Sequence, residues 1–132
     1  MQALLVGLFL ALAVGAFATT LRLDRDRAFY PTVMIVIAAY YVLFALIGAS
    51  KDALFLELAV GAAFVTAAAT GFKRSLWIVA IALVAHGLFD LVHSALINNP
   101  GVPAWWPGFC FAYDVTAAGY LAWLLKTGRV SR

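Results

Sequence analysis

Three ionisable side chains lie close together within one apolar stretch of the sequence: His86, Asp90 and His93, in the order H-x3-D-x2-H. On a helix that turns about 100° per residue, Asp90 lies about 40° from His86 and His93 about 20° to the other side, so all three share one face. Ionisable groups in such apolar surroundings usually mark a functional site. The spacing therefore predicts a helix face that converges on one ion or proton.

The composition places this helix face inside a membrane. Hydrophobic residues make up 66% of the chain and charged residues 11%, against about 45–50% and about 25% in soluble domains. Five apolar segments have the length that a bilayer requires, at about residues 2–20, 31–49, 53–72, 75–97 and 108–125. Their unbroken Ala- and Leu-rich runs favour helices over the alternating strands of a membrane β-barrel. We predict an all-α polytopic bundle of five transmembrane helices, a single domain over residues 1–132.

Lys and Arg are distributed unequally between the two ends of this bundle. One end holds Lys51 alone, and the other holds Arg22, Arg25, Arg27, Lys73, Arg74, Lys126, Arg129 and Arg132. Because cytoplasmic loops are enriched in Lys and Arg, we predict that the N-terminus lies outside and the C-terminus in the cytoplasm. This topology explains the net charge of +3 without a nucleic-acid partner. The predicted partner is the lipid bilayer.

The ionisable residues inside the predicted helices lie at similar depths. With a rise of 1.5 Å per residue, four side chains lie about 6–10 Å from the outer end and one about 16 Å: Glu57, Asp90, His93 and Asp114, and then His86. Grouped carboxylates in a low dielectric cost several kcal/mol unless protons or cations compensate. Imidazoles with carboxylates suit zinc, iron or manganese. The sequence predicts a divalent metal bound by His86, Asp90, His93 and Asp114, with Glu57 and Asp114 as catalytic candidates.

Several functions are compatible with such a site. A metal would activate water to attack a lipid-like substrate, since zinc lowers the pKa of bound water to about 7, whereas iron would imply oxidation. Without a metal, the same residues would carry protons or bind a small molecule in a transporter, or pair only to fix helix packing. A metal-dependent hydrolase or oxidase, a proton-coupled transporter and a small subunit of a larger membrane complex all stay open. A homo-oligomer is compatible with each of them.

Aromatic residues and a cysteine near the outer end are candidates for substrate contact or for a lid. They are Tyr40, Tyr41, Trp105, Trp106, Cys110 and Tyr113. An aromatic belt at the membrane interface is the alternative interpretation of the two tryptophans. Cys110 precedes Asp114 by one helical turn on the same helix face. It is a candidate soft ligand, and the alternative is the small packing residue that a lone cysteine in a transmembrane helix more often is.

The order of these residues resembles a family of small bacterial integral membrane proteins to which no function is assigned. The likeness covers about residues 57–116: H-x3-D-x2-H at 86–93, N-P-x2-P at 99–103 and C-x3-D at 110–114, with Glu57 on the preceding helix. Ser94 follows His93 where family members often have a further histidine. The resemblance implies a multi-pass protein of the bacterial inner membrane, and it implies no reaction.

Overall fold

The computed structural model describes residues 1–130, and most of them lie in five long helices. The helices are α1 (Gln2–Leu21), α2 (Phe29–Ile47), α3 (Lys51–Lys73), α4 (Leu76–Leu96) and α5 (Trp106–Lys126), with a short 3-10 turn at Leu23–Arg25. Each of the five is long and apolar enough to cross a membrane. The prediction of an all-helical chain with five candidate membrane spans is confirmed.

Helices α2, α3 and α5 each begin two residues before the segment that hydropathy predicts. Local start signals explain the difference. The Ser50 hydroxyl accepts a hydrogen bond from the Ala53 amide and caps α3, so Lys51 can join its first turn. Pro31 and Pro107 lie within the first turns of α2 and α5, where the missing N–H of proline costs no helical hydrogen bond.

The helices pack around α5 and α4. Helix α5 packs against both α1 and α4, and α3 packs against α2 and α4. A Cβ on Gly7 would collide with the backbone oxygen of Phe109, so this glycine allows α1 to approach α5 closely. Although α1 and α2 are consecutive, α1 packs mainly against α5. A groove consequently separates α1 from α2.

The helices alternate in direction, so successive connections lie at opposite ends of the bundle. The two ends differ in charge. The end that holds the α1–α2 and α3–α4 connections, called the basic end below, has seven cationic residues within 1–130: Arg22, Arg25, Arg27, Lys73, Arg74, Lys126 and Arg129. The opposite end, the loop end, carries the α2–α3 turn and the loop 97–105. Among the buried ionisable residues of α3, α4 and α5, His86 lies at the middle of α4, and the others lie nearer the loop end: Glu57, Asp90, His93, Cys110 and Asp114.

Candidate metal centre and the neighbouring acid pair

Four buried side chains from α4 and α5 form a compact group, called the metal cluster below: His86, Asp90, Cys110 and Asp114. One potential ligand atom from each lies within 4.8 Å of all the others. His86 Nδ1 lies 2.7 Å from Asp114 Oδ2 and 3.6 Å from Asp90 Oδ2. The Cys110 thiol makes a longer contact, with its Sγ 3.9 Å from Asp114 Oδ2.

Residue spacing and one glycine bring this cluster together. His86 and Asp90 are four residues apart on α4, as are Cys110 and Asp114 on α5, so each helix presents two donors on one face. Gly87 lies where the two helices meet, because an added Cβ there would lie 3.2 Å from the Cβ of Asp114. The absent side chain therefore helps His86 and Asp114 to approach within hydrogen-bond distance.

Two carboxylate oxygens of the cluster accept no hydrogen bond from the described residues, although one of them, Asp90 Oδ2, lies 3.6 Å from His86 Nδ1. Asp90 Oδ2 and Asp114 Oδ1 are buried and accept no hydrogen bond from any residue in 1–130. An unsatisfied buried acceptor costs about 1–3 kcal/mol, and more when it is charged. Tetrahedral zinc with bonds of about 2.0–2.3 Å holds its ligand atoms roughly 3.3–3.8 Å apart. The separations in the cluster, from 2.7 to 4.8 Å, bracket that spacing, so these donors fit a metal with small adjustments.

A second buried group, called the Glu57 pair below, joins α3 to α4 and to the loop. His93 Nε2 lies 2.7 Å from Glu57 Oε1. The Asn99 side-chain amide donates to the same oxygen at 2.8 Å. Within the described part of the chain, neither Glu57 nor His93 contributes a buried polar atom without a partner. Two protein donors therefore converge on one oxygen of Glu57.

Tyr41 of α2 contacts both groups. Its hydroxyl donates a 2.6 Å hydrogen bond to Asp90 Oδ1, and its ring stacks on His93 with centroids 4.0 Å apart and planes inclined by 16°. Its backbone oxygen accepts a hydrogen bond from the Asn99 amide at 3.1 Å. Tyr41 thus connects the metal cluster with the Glu57 pair.

The structure divides the predicted site residues between these two groups. His86, Asp90 and Asp114 come together, and Cys110 joins them, whereas His93 and Glu57 bind each other. His93 follows His86 by two helical turns, about 10 Å along the axis. The two imidazoles share a helix face but lie at different depths. Glu57 lies outside the metal cluster, and its position gives no support to its prediction as a catalytic group there.

The aromatic candidates have different surroundings. Trp106 is buried at the start of α5, with ring centroids 4.8 Å from Tyr40 and 4.9 Å from Phe44. Trp105 is 56% exposed, whereas Tyr113 lines the groove between α1 and α2 together with Cys110. Trp106 therefore closes the loop end between α2 and α5.

The sequence analysis gives Asn99 no role beyond the N-P-x2-P pattern at 99–103. In the structure its amide binds both Glu57 and the Tyr41 backbone. The available signal was a pair of adjacent amides, Asn98 and Asn99, in a short loop that follows a helix containing buried ionisable groups. Asparagine is common both in turns and as a buried hydrogen-bond donor, so the residue type alone does not predict which role Asn99 has.

A scan against protein-family models finds no match for this chain, and neither do searches of the curated proteins and of the solved structures. The function of the site must therefore be inferred from its own geometry and chemistry.

Proposed function

We propose that this chain is a multi-pass membrane protein that binds one divalent transition-metal ion at the metal cluster. The observation that carries the proposal is the pair of unpartnered oxygens, Asp90 Oδ2 and Asp114 Oδ1. Both belong to a group of four donor residues that is already gathered within 4.8 Å. A cation would bind the two oxygens that the described protein groups leave unsatisfied.

The balance of charge also supports a bound cation. Two carboxylates in a low dielectric need compensation, and a divalent ion neutralises both at once. His86 contributes a neutral nitrogen ligand, and Tyr41 supports Asp90 from outside by donating to Oδ1. Hydrogen bonds of this kind orient ligating side chains and are a common feature of metal sites.

The donor types favour zinc among the candidate metals. Zinc binds imidazole, thiolate and carboxylate with tetrahedral geometry, and the cluster supplies all three donor types. Sulfur ligands are poorly suited to manganese. Zinc therefore matches this donor set better than manganese does.

The activity that this site supports best is metal-dependent chemistry on a lipid-like molecule in the bacterial inner membrane. Cys110 belongs to the metal cluster and also lines the groove between α1 and α2. Binding by His86, Asp90 and Asp114 would leave a fourth position for water or substrate, as catalytic zinc sites require, with Cys110 on the groove side of the cluster. The groove would be the route by which such a substrate approaches.

A proton-carrying site without metal is the second candidate, and one observation favours it. Polar contacts run from Asp114 through His86 and Asp90 to Tyr41, whose ring stacks on His93 of the Glu57 pair. Such a chain of titratable groups is typical of proton relays in membrane proteins.

The proposal is tested by elemental analysis of protein purified in mild detergent without a histidine tag. We expect about one equivalent of metal in the wild type and in Glu57→Gln, a matched change of a buried acid outside the cluster. We expect at least a tenfold loss in Asp114→Asn and in His86→Ala. Folded wild-type protein that remains metal-free after incubation with zinc would overturn the metal proposal and favour the proton-carrying site.

A further inference from the structure

A groove of about 690 Å³ lies between α1 and α2, with α5 as its floor. Its walls are largely apolar, with Leu10 and Val14 from α1 and Val33 and Val36 from α2. Val36 is 50% exposed, so in a membrane this groove faces hydrocarbon. The acyl chains of the bilayer are therefore the molecules next to the groove.

The two ends of the groove differ in chemistry. Arg22 and Asp26 line it at the basic end, and Trp106 and Cys110 line it toward the loop end. Along α2 its lining runs from Phe29 to Tyr40, which corresponds to about 16 Å at 1.5 Å per residue. The groove thus runs from a charged end through apolar walls to the side of the metal cluster.

The charge at the basic end favours an anionic headgroup. Within residues 1–130 this end has the seven cations named above and two acids, Asp24 and Asp26. Both acids already accept hydrogen bonds, Asp24 from the Thr19 hydroxyl and Asp26 from the Ala28 amide. Basic clusters at a membrane surface attract anionic lipids, and Arg22 lies at the mouth of the groove.

Charge disfavours a helix from a second copy as the occupant. Copies that share one orientation in the membrane would bring their basic ends together, and each basic end has seven cations and two acids within residues 1–130. An acyl chain with an anionic headgroup brings the opposite charge.

We infer that the groove between α1 and α2 binds one acyl chain of an anionic phospholipid, with the phosphate at Arg22 and the chain extending toward Cys110. Arg22 supplies the charge at the mouth, and Val33 and Val36 supply the apolar wall. The binding itself does not rest on the proposed metal. Because Cys110 lines the groove and belongs to the metal cluster, the bound acyl chain would lie beside that cluster.

The test is native mass spectrometry of detergent-purified protein titrated with phosphatidylglycerol or with phosphatidylcholine of the same acyl chains. Val36→Trp fills the groove, whereas Val84→Trp makes the same change in a second apolar groove, of about 590 Å³ between α4 and α5, whose lining holds no cation. We expect one phosphatidylglycerol to bind more tightly than phosphatidylcholine to the wild type and to Val84→Trp, and to be lost from Val36→Trp. The smaller Val36→Phe provides the same test if the tryptophan variant does not fold.

Arg22→Gln tests the position of the headgroup, and Arg25→Gln from the same connection is its control. One cationic side chain near the headgroup corresponds to roughly a fivefold change in affinity for an anionic lipid. Because Arg22 lines the groove and Arg25 does not, we expect that loss for Arg22→Gln and a smaller one for Arg25→Gln. Equal binding to Val36→Trp and Val84→Trp would overturn the groove as the site. Equal affinity for the two phospholipids would overturn the assignment of an anionic headgroup. Lipid binding that persists in Asp114→Asn would show that the groove binds lipid whether or not the metal cluster binds a metal.

Discussion

The metal cluster and the Glu57 pair contain similar residues but differ in how their acids are satisfied. Both place a histidine 2.7 Å from a carboxylate in the buried part of the bundle. In the Glu57 pair, an asparagine amide supplies a second donor to the same acid. In the metal cluster, two oxygens accept no hydrogen bond from residues 1–130, and a thiol belongs to the same group. The two groups contain similar residue types. What distinguishes the candidate ligand site from the structural contact is whether buried carboxylate oxygens are left without a hydrogen-bond donor.

Removal of metal should have the largest effect, and only where the metal cluster is intact. A ligand present at about a thousandfold its Kd stabilises the folded state by about 4 kcal/mol, so we expect a chelator to lower the unfolding temperature of the wild type and of Glu57→Gln. Asp114→Asn should not respond to the chelator. Thermal unfolding in detergent, followed by circular dichroism, measures this difference. An equal response in all three proteins would remove the distinction between the two groups.

Breaking the Glu57 pair should destabilise the bundle with the metal still bound. Glu57→Leu removes the acceptor of the buried His93 imidazole and one of the two acceptors of the Asn99 amide. We expect a loss of about 3 kcal/mol in unfolding free energy. The double change Glu57→Leu/His93→Leu should recover part of this loss, because it removes both partners. Asp52→Leu, at an exposed acid in the first turn of α3, is the control. Metal loss in Glu57→Leu while the bundle stays folded would contradict the separation of the two groups.

Asn99→Ala should have a smaller effect on the same pair. It removes the donor to Glu57 Oε1 and to the Tyr41 backbone oxygen, and we expect a loss of about 2 kcal/mol. The neighbouring exposed Asn98 provides a matched change, Asn98→Ala, that should have little effect. Faster proteolysis or hydrogen exchange in the loop 97–105 of Asn99→Ala would show that this amide anchors the loop, and equal protection in both variants would argue against it.

Tyr41→Phe should have the smallest effect, a weaker binding of zinc. It tests whether Tyr41 connects the metal cluster with the Glu57 pair. Phenylalanine keeps a ring against His93 but removes the hydrogen bond to Asp90 Oδ1. Because loss of a hydrogen bond behind a ligand weakens metal binding by 10- to 100-fold, we expect about a tenfold increase in the Kd for zinc. Competition with a zinc-binding dye measures the change. An unchanged Kd would show that Asp90 does not depend on Tyr41 for its orientation.

Several particular features could be predicted from the sequence. Apolar runs of bilayer length predict the five helices, since a membrane-spanning helix must satisfy its own backbone. The four-residue spacings of His86 and Asp90, and of Cys110 and Asp114, place two donors on one face of each helix. The resemblance to a family of bacterial membrane proteins and the predicted orientation stay predictions.

The sequence by itself determined the helices and the helix faces that carry the ionisable residues, because both follow from local periodicity and length. Only the tertiary structure decided which helix face meets which. The rotation and offset of α3, α4 and α5 pair His86 with Asp114, and His93 with Glu57. Those offsets arise from close approaches such as that at Gly87 and from loop contacts such as that of Asn99. Such contacts join residues far apart in sequence, so periodicity along a single helix carries no information about them.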